Sequence, residues 1–205
     1  MLDCRDLSSK PVKIDLQDCT LLIIDSHKQR SLARSGYAQR RKECQIALDY
    51  FQSKNPDVKS LGDVQLPLLE DAITAQALKP PVSHRVRHVI NENLRVQASV
   101  DAIGLGKLDV LGSLMFESHV SLKEDYEVSC RELDFLVDTV MTLPGGIGAR
   151  LTGAGFGGCT INLVKTDQIE AIKAHVLESY LENYGVQPSF YQTRPSAGAQ
   201  VVWTG

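Results

Sequence analysis

The chain has 205 residues, 43% hydrophobic, 23% charged, with a net charge of −3. Length fits one large domain or a domain plus a fragment, and the charge gives no electrostatic footprint for nucleic acid. No apolar run approaches the ~20 residues of a membrane span, the start Met1-Leu-Asp-Cys-Arg-Asp6 has no signal-peptide core, and five scattered cysteines without CxxC spacing fit reduced cytoplasmic thiols rather than disulfides or a zinc site.

Residues 1 to 26 read as β structure, because Val12-Lys-Ile-Asp-Leu16 alternates and Leu21-Leu-Ile-Ile24 is a short buried-strand run closed by Asp25 and Ser26. A polar loop, His27-Lys-Gln-Arg30, follows. Ser35 is the expected N-cap of a helix reaching about Gln52, with Cys44, Ala47, Leu48 and Phe51 on its inner face and Tyr37 and Arg41 one turn apart near its start. For Tyr37 the plain alternative is a half-buried aromatic with a wet hydroxyl. Residues 61 to 78 pass from linker into a short helix that Lys79-Pro-Pro81 breaks. Ser83 is the expected cap of a long helix with Val86, Val89, Ile90 and Leu94 buried. His84 and His88 lie one turn apart on it. No glutamate accompanies them as a base, so solvated helix-face histidines are expected rather than a metal site.

The next helix runs from Lys107 to His119, with Leu108, Leu111 and Met115 inward, and ends at Ser118-His-Val-Ser-Leu122. Neighbouring helix side chains diverge by about 100°, and no acidic partner is evident, so His119 is read as structural. Ser129-Cys-Arg-Glu132 spells a capping box before the stripe Leu133, Leu136, Val137, Val140 and Met141. Asp167 and Glu170 spell a second one before Ile169, Ile172, Val176 and Tyr180, and Gly185 is the expected stop. Strands are expected around 21–25, 149–152, 159–164 and 189–194, among about five helices. The class is therefore α+β, with helices on one face of a small antiparallel sheet.

Chemistry concentrates in the loop Gly153-Ala154-Gly155-Phe156-Gly157-Gly158 between two of those strands. Four glycines in six residues imply backbone angles or close approaches that a Cβ forbids. Bare N–H groups in such a loop suit an anion, phosphate above all. Gly153, Gly155 and Gly158 match the dinucleotide spacing, but they run into a strand where that motif needs a helix. A hairpin whose glycines serve only tight packing is the other reading.

Several segments together resemble galactokinases, of the GHMP group of small-molecule kinases, and specifically their C-terminal half. They are Asp25-Ser26 with Tyr37-Ala-Gln-Arg40-Arg41-Lys-Glu-Cys44, Arg87-His-Val-Ile-Asn-Glu92-Asn93-Leu-Arg95, Gly112-Ser-Leu-Met115-Phe-Glu-Ser118-His119-Val-Ser-Leu122, Asp125-Tyr-Glu-Val-Ser-Cys130-Arg-Glu-Leu-Asp134, and Gly148-Ala-Arg-Leu-Thr-Gly-Ala-Gly-Phe-Gly-Gly-Cys159. The resemblance implies transfer of the ATP γ-phosphoryl group to the 1-hydroxyl of D-galactose with Mg²⁺, on a GHMP C-terminal domain with a ferredoxin-like sheet. It implies that Gly153, Ala154, Gly155, Phe156, Gly157 and Gly158 back the phosphate loop of the other half, and that Tyr37 lines the sugar pocket. Residues 1–20 would be remnant strands of the N-terminal domain and 21–205 the C-terminal domain.

The family's sugar signature, phosphate loop and catalytic aspartate belong to the first half and do not occur in this sequence. Asp3-Cys4-Arg5 matches a strand beyond that aspartate. The implication is no catalytic residue and no metal ligand here, a need for the N-terminal half as partner, and no activity for the chain alone. Gln29 stands where many members are basic, and Gly36 and Ala38 flank Tyr37 where polar residues are common. A non-catalytic sugar- or nucleotide-binding module is the alternative.

Overall fold

In the computed structural model, which describes residues 1–29 and 33–196, four strands form one antiparallel sheet: β1 (Cys19–Asp25), β2 (Gly146–Leu151), β3 (Cys159–Lys165) and β4 (Ser189–Thr193), in the order β2-β3-β1-β4. Between β1 and β2 run α1 (Ala33–Lys54), α2 (Leu66–Thr74), α3 (Val82–Gly104), α4 (Leu108–Glu124) and α5 (Arg131–Thr142), and α6 (Ile169–Tyr184) joins β3 to β4. The order of strands and crossovers is that of a split β-α-β, ferredoxin-like sheet with extra helices in its first crossover.

Strand side chains alternate between faces. Leu22, Ile24, Ala149 and Val164 meet Leu136, Val137 and Val140 of α5 and Ile172, Val176 and Tyr180 of α6. Cys19 and Leu163 point the other way, onto Ala102 of α3, Leu108 and Leu111 of α4, and Leu16. The two faces are thus unequal, with α5 and α6 covering one and the end of α3 and start of α4 reaching round to part of the other. A third core, of α1, α2 and α3, gathers Ala47, Phe51, Leu69, Ala72, Val86 and Ile90. Gly185, at φ +67°, stops α6, and its N–H returns to the Leu181 carbonyl at 2.8 Å.

Several local expectations are corrected. Residues 1–18 carry a lone bridge, Leu2 to Ser9, and no ladder, so the alternation at 12–16 reports packing instead. Leu16 is buried, Ile14 partly so, and the Gln17 amide donates to the Gly106 carbonyl at 3.0 Å. α1 begins at Ala33, which puts Ser35 inside its first turn, and α3 begins at Val82, with Ser83 buried inside it. α4 continues past Leu122 to Glu124, and Leu94 of α3 is exposed. Neither capping box forms. The Ser129 hydroxyl donates to Asp134 and Glu132 pairs with Lys28, while Asp167 sits in a 3-10 turn, Thr166–Gln168, ahead of α6. A cap bond is worth about 1 kcal/mol, which a charged tertiary partner matches. Arg30 and the tail beyond Ser196 lie outside the described residues.

Candidate nucleotide- and sugar-facing site

The β2–β3 hairpin closes with Thr152 N–H on the Cys159 carbonyl at 2.9 Å, and the glycine loop turns between them. Five successive or near-successive residues take the left-handed region: Gly153 (φ +80°), Gly155 (+78°), Phe156 (+59°), Gly157 (+125°) and Gly158 (+90°). Gly153 and Ala154 form an exposed tip, whereas Gly155 and Gly157 are buried. A Cβ on Gly155 would lie 2.1 Å from the Val128 carbonyl oxygen, and one on Gly157 would lie 2.6 Å from that of Lys28. The Phe156 N–H donates to that same Val128 carbonyl at 2.7 Å. The Gly158 carbonyl accepts from both N–H (3.0 Å) and Oγ (2.6 Å) of the buried Ser26.

The expectation of a wholly bare loop is therefore narrowed. Its base is fastened by packing and hydrogen bonds, and the Phe156 N–H is already committed. The tip, Gly153-Ala154, is where the backbone faces outward with no more than a methyl group. Lys28, beside Gly157, holds Glu132 at the start of α5 at 2.6 Å. That bond raises the ammonium's pKa, and despite burial, which acts the other way, it keeps the Glu132 carboxyl below its usual range.

Tyr37 lies 56% exposed in the first turns of α1. The preceding residue, Gly36, packs on Phe156, and a Cβ there would come within 2.5 Å of the ring's Cζ. One turn further on, Arg40 Nε donates to the Tyr126 carbonyl at 2.6 Å and its Nη2 to that of Glu127 at 2.9 Å. Arg85 of α3 extends the network. It gives Nε to Glu43 (2.7 Å), Nη2 to Glu127 (2.7 Å) and Nη1 to the Asp125 carbonyl. Burial pulls the Glu43 carboxyl up, but the Arg85 and Gln39 bonds and the two guanidinium charges outweigh it and leave it below its ordinary value. The 125–128 segment is thus clamped to α1 and α3 and carries the glycine loop on its Val128 carbonyl.

His119 has the acidic partner that the sequence did not reveal. Its Nε2 stands 3.2 Å from Asp134 Oδ1 and its Nδ1 accepts the Leu151 N–H at 3.2 Å, pinning the last residue of β2. That pattern puts the proton on Nε2. Ser118 turns to Glu92 instead, at 2.7 Å, so Ser118 and His119 form no nucleophile pair. His88 is buried, not solvated. Its ring stacks on Tyr126 at 4.4 Å, its Nδ1 meets Ser121 Oγ at 2.9 Å, and burial lowers its pKa to about 4. His84 is half-buried. None of the five cysteines is in a disulfide among the described residues. Among the described residues, no three His, Cys, Asp or Glu side chains group to hold a metal ion, and no helix is long and apolar enough to cross a membrane.

With this geometry in place, the chain can be compared with known proteins. Residues 99–183 match the family "GHMP kinases C terminal". The chain is related along almost its whole length to galactokinases. A galactokinase of Roseiflexus sp. is 40% identical over 200 residues, and one of Halalkalibacterium halodurans is 39% identical over 211. These alignments cover 97% and 100% of the chain but 50% and 51% of the relatives, so the chain spans about half their length. Lactococcus lactis galactokinase complexed with galactose superposes with a TM-score of 0.87 at 39% identity, over 93% of the chain and 49% of that structure. Leishmania major mevalonate kinase in complex with R-mevalonate shares the fold at a TM-score of 0.53 and 25% identity, over 92% of the chain and 46% of that structure.

Proposed function

We propose that this chain is the C-terminal half of a galactokinase, which moves the γ-phosphoryl group of ATP to the 1-hydroxyl of D-galactose in the cytoplasm. The observation that carries the proposal is the match to a galactokinase complexed with galactose over 93% of the chain. Phosphoryl transfer needs positioning and charge neutralisation more than covalent help from the protein. The Gly153-Ala154 tip fits a role against a triphosphate, since its backbone is exposed with no side chain larger than a methyl group and its base is held by packing and hydrogen bonds. Mg²⁺–ATP supplies the transferred group when bound, and the described residues offer no clustered ligands for the metal. Tyr37, exposed beside the loop, is the residue of this half that would face the sugar. The partner is a polypeptide bearing the phosphate loop and base.

The test is a coupled ADP-release assay with galactose, ATP and Mg²⁺. The chain alone is expected to show no turnover. Mixed or co-expressed with the first half of a related galactokinase, it should show galactose-dependent turnover. Galactose-dependent turnover by the repurified chain alone would overturn the division of labour, and a stable mixed complex without any turnover would favour a binding module.

A further inference from the structure

Phe156 is the one non-glycine residue of the glycine loop that holds a left-handed backbone (φ +59°), an arrangement costly to a bulky side chain. Its ring reaches away from the loop tip into a core of Leu122, Val128, Leu133 and Leu151 and meets Gly36, next to Tyr37. Its N–H binds the Val128 carbonyl, on the same segment that Arg40 ties to α1. Strain kept at one position needs surroundings that over-determine it.

We infer that Phe156 is a positioning residue that couples the Tyr37 turn to the glycine loop, so that ligands at the two places sense each other. The inference rests on the site reading above for which ligands these are. The coupling itself is a property of the chain. Gly36 is the complementary half of the contact, because its missing Cβ is the space that the ring occupies.

Amide hydrogen exchange of the whole chain tests it. Gly36→Ala gains helix propensity but pushes on the ring, so a bulk melting temperature mixes opposite effects, whereas local exchange separates them. Exchange of peptides over 149–160 is expected to rise roughly tenfold, as overpacking of about 1.4 kcal/mol gives. Peptides over α6 should stay unchanged. The double variant Gly36→Ala/Phe156→Leu, with a smaller side chain facing the new methyl, should bring 149–160 back toward wild type. Additive effects in the double variant, a change confined to α1, or an equal rise in α6 would each overturn the coupling. In the mixed enzyme, Gly36→Ala should raise KM for galactose and for ATP together, with kcat changed less, and a rise for galactose alone overturns it. Failure of the mixed enzyme to turn over bears on the site reading only, since the exchange result stands without ligand.

Discussion

Gly155→Ala adds a single atom to the base of the glycine loop, and its cost can be worked out and isolated. The new Cβ would sit 2.1 Å from the Val128 oxygen, where ordinary contact begins at 3.4 Å, so loop and segment must part by more than an ångström. Three effects add. Holding an L-residue at φ +78° costs roughly 1–2 kcal/mol, overpacking against backbone about 1–3, and weakening the Phe156–Val128 hydrogen bond about 0.5–1.5. The sum, about 4 kcal/mol, is within the ~5–15 kcal/mol that a domain holds, so the chain stays folded. Gly185→Ala is the control. Its φ is +67°, yet nothing lies within 4 Å of the added atom, so it carries the backbone effect alone. For a chain of this size each kcal/mol moves Tm by about 2–4 °C. Thermal unfolding followed by circular dichroism should therefore place Gly155→Ala roughly 8 °C below Gly185→Ala. Equal melting temperatures for the two variants would refute the crowding of Gly155 by Val128, and with it the claim that this loop is anchored at its base.

Further predictions concern the rest of the chain. His88 is neutral when folded, its pKa lowered by burial to about 4, while the unfolded residue titrates near 6.5. Its contribution is present above pH 6.5 and lost as pH falls toward 4. Urea unfolding should show stability falling by a few kcal/mol across that window, and His88→Gln should flatten the fall. Arg85→Met leaves Glu43 buried beside Arg40 alone and unbalances Glu127. A loss of about 3–5 kcal/mol is expected from denaturant titration, and a neutral result would mean that the 125–128 segment does not depend on the network. Deleting residues 1–10 should leave Tm nearly unchanged, whereas deleting 1–18 removes Leu16 from the core and should lower it by several degrees. Equal effects would show that Leu16 adds nothing.

The strands, the helix stripes and the glycine loop were legible because each rests on local period or composition. Leu133, Leu136, Val137 and Val140 fall on one helix face whatever lies opposite, and Gly185 needs no partner to end α6. What the sequence hid depends on residues distant along the chain. The capping motif at Ser129 was overruled by other partners for its polar groups, Asp134 and Lys28, and the one at Asp167 by the 3-10 turn that precedes α6. His88 looks exposed until Tyr126 is stacked on it, and His119 lacks an acid until Asp134, fifteen positions on, is folded beside it. The glycine cluster announced a constrained loop but not the division of labour within it. Only the carbonyls of Val128 and Lys28 tell which glycines serve packing and which face outward. Gly36 stood out only as a departure beside Tyr37, and its reason was hidden, because its partner is a ring 120 positions away.

The placing of β1 in the sheet interior also bears on synthesis. Both of its neighbours, β3 and β4, come from the far end of the chain, with Asp25 paired to Cys159 and to Ser189. At the ~5–20 residues per second of translation, β1 waits on the order of ten seconds before either partner emerges. Through that interval Leu21-Leu-Ile-Ile24 is an apolar segment with both edges unpaired. The core of α1, α2 and α3, whose members are near one another in sequence, can consolidate meanwhile. Closing the sheet is then a late, long-range step with a large loop-closure entropy. The interval before β3 appears is when a holding chaperone has a target on the nascent chain, and when two nascent chains can pair through β1.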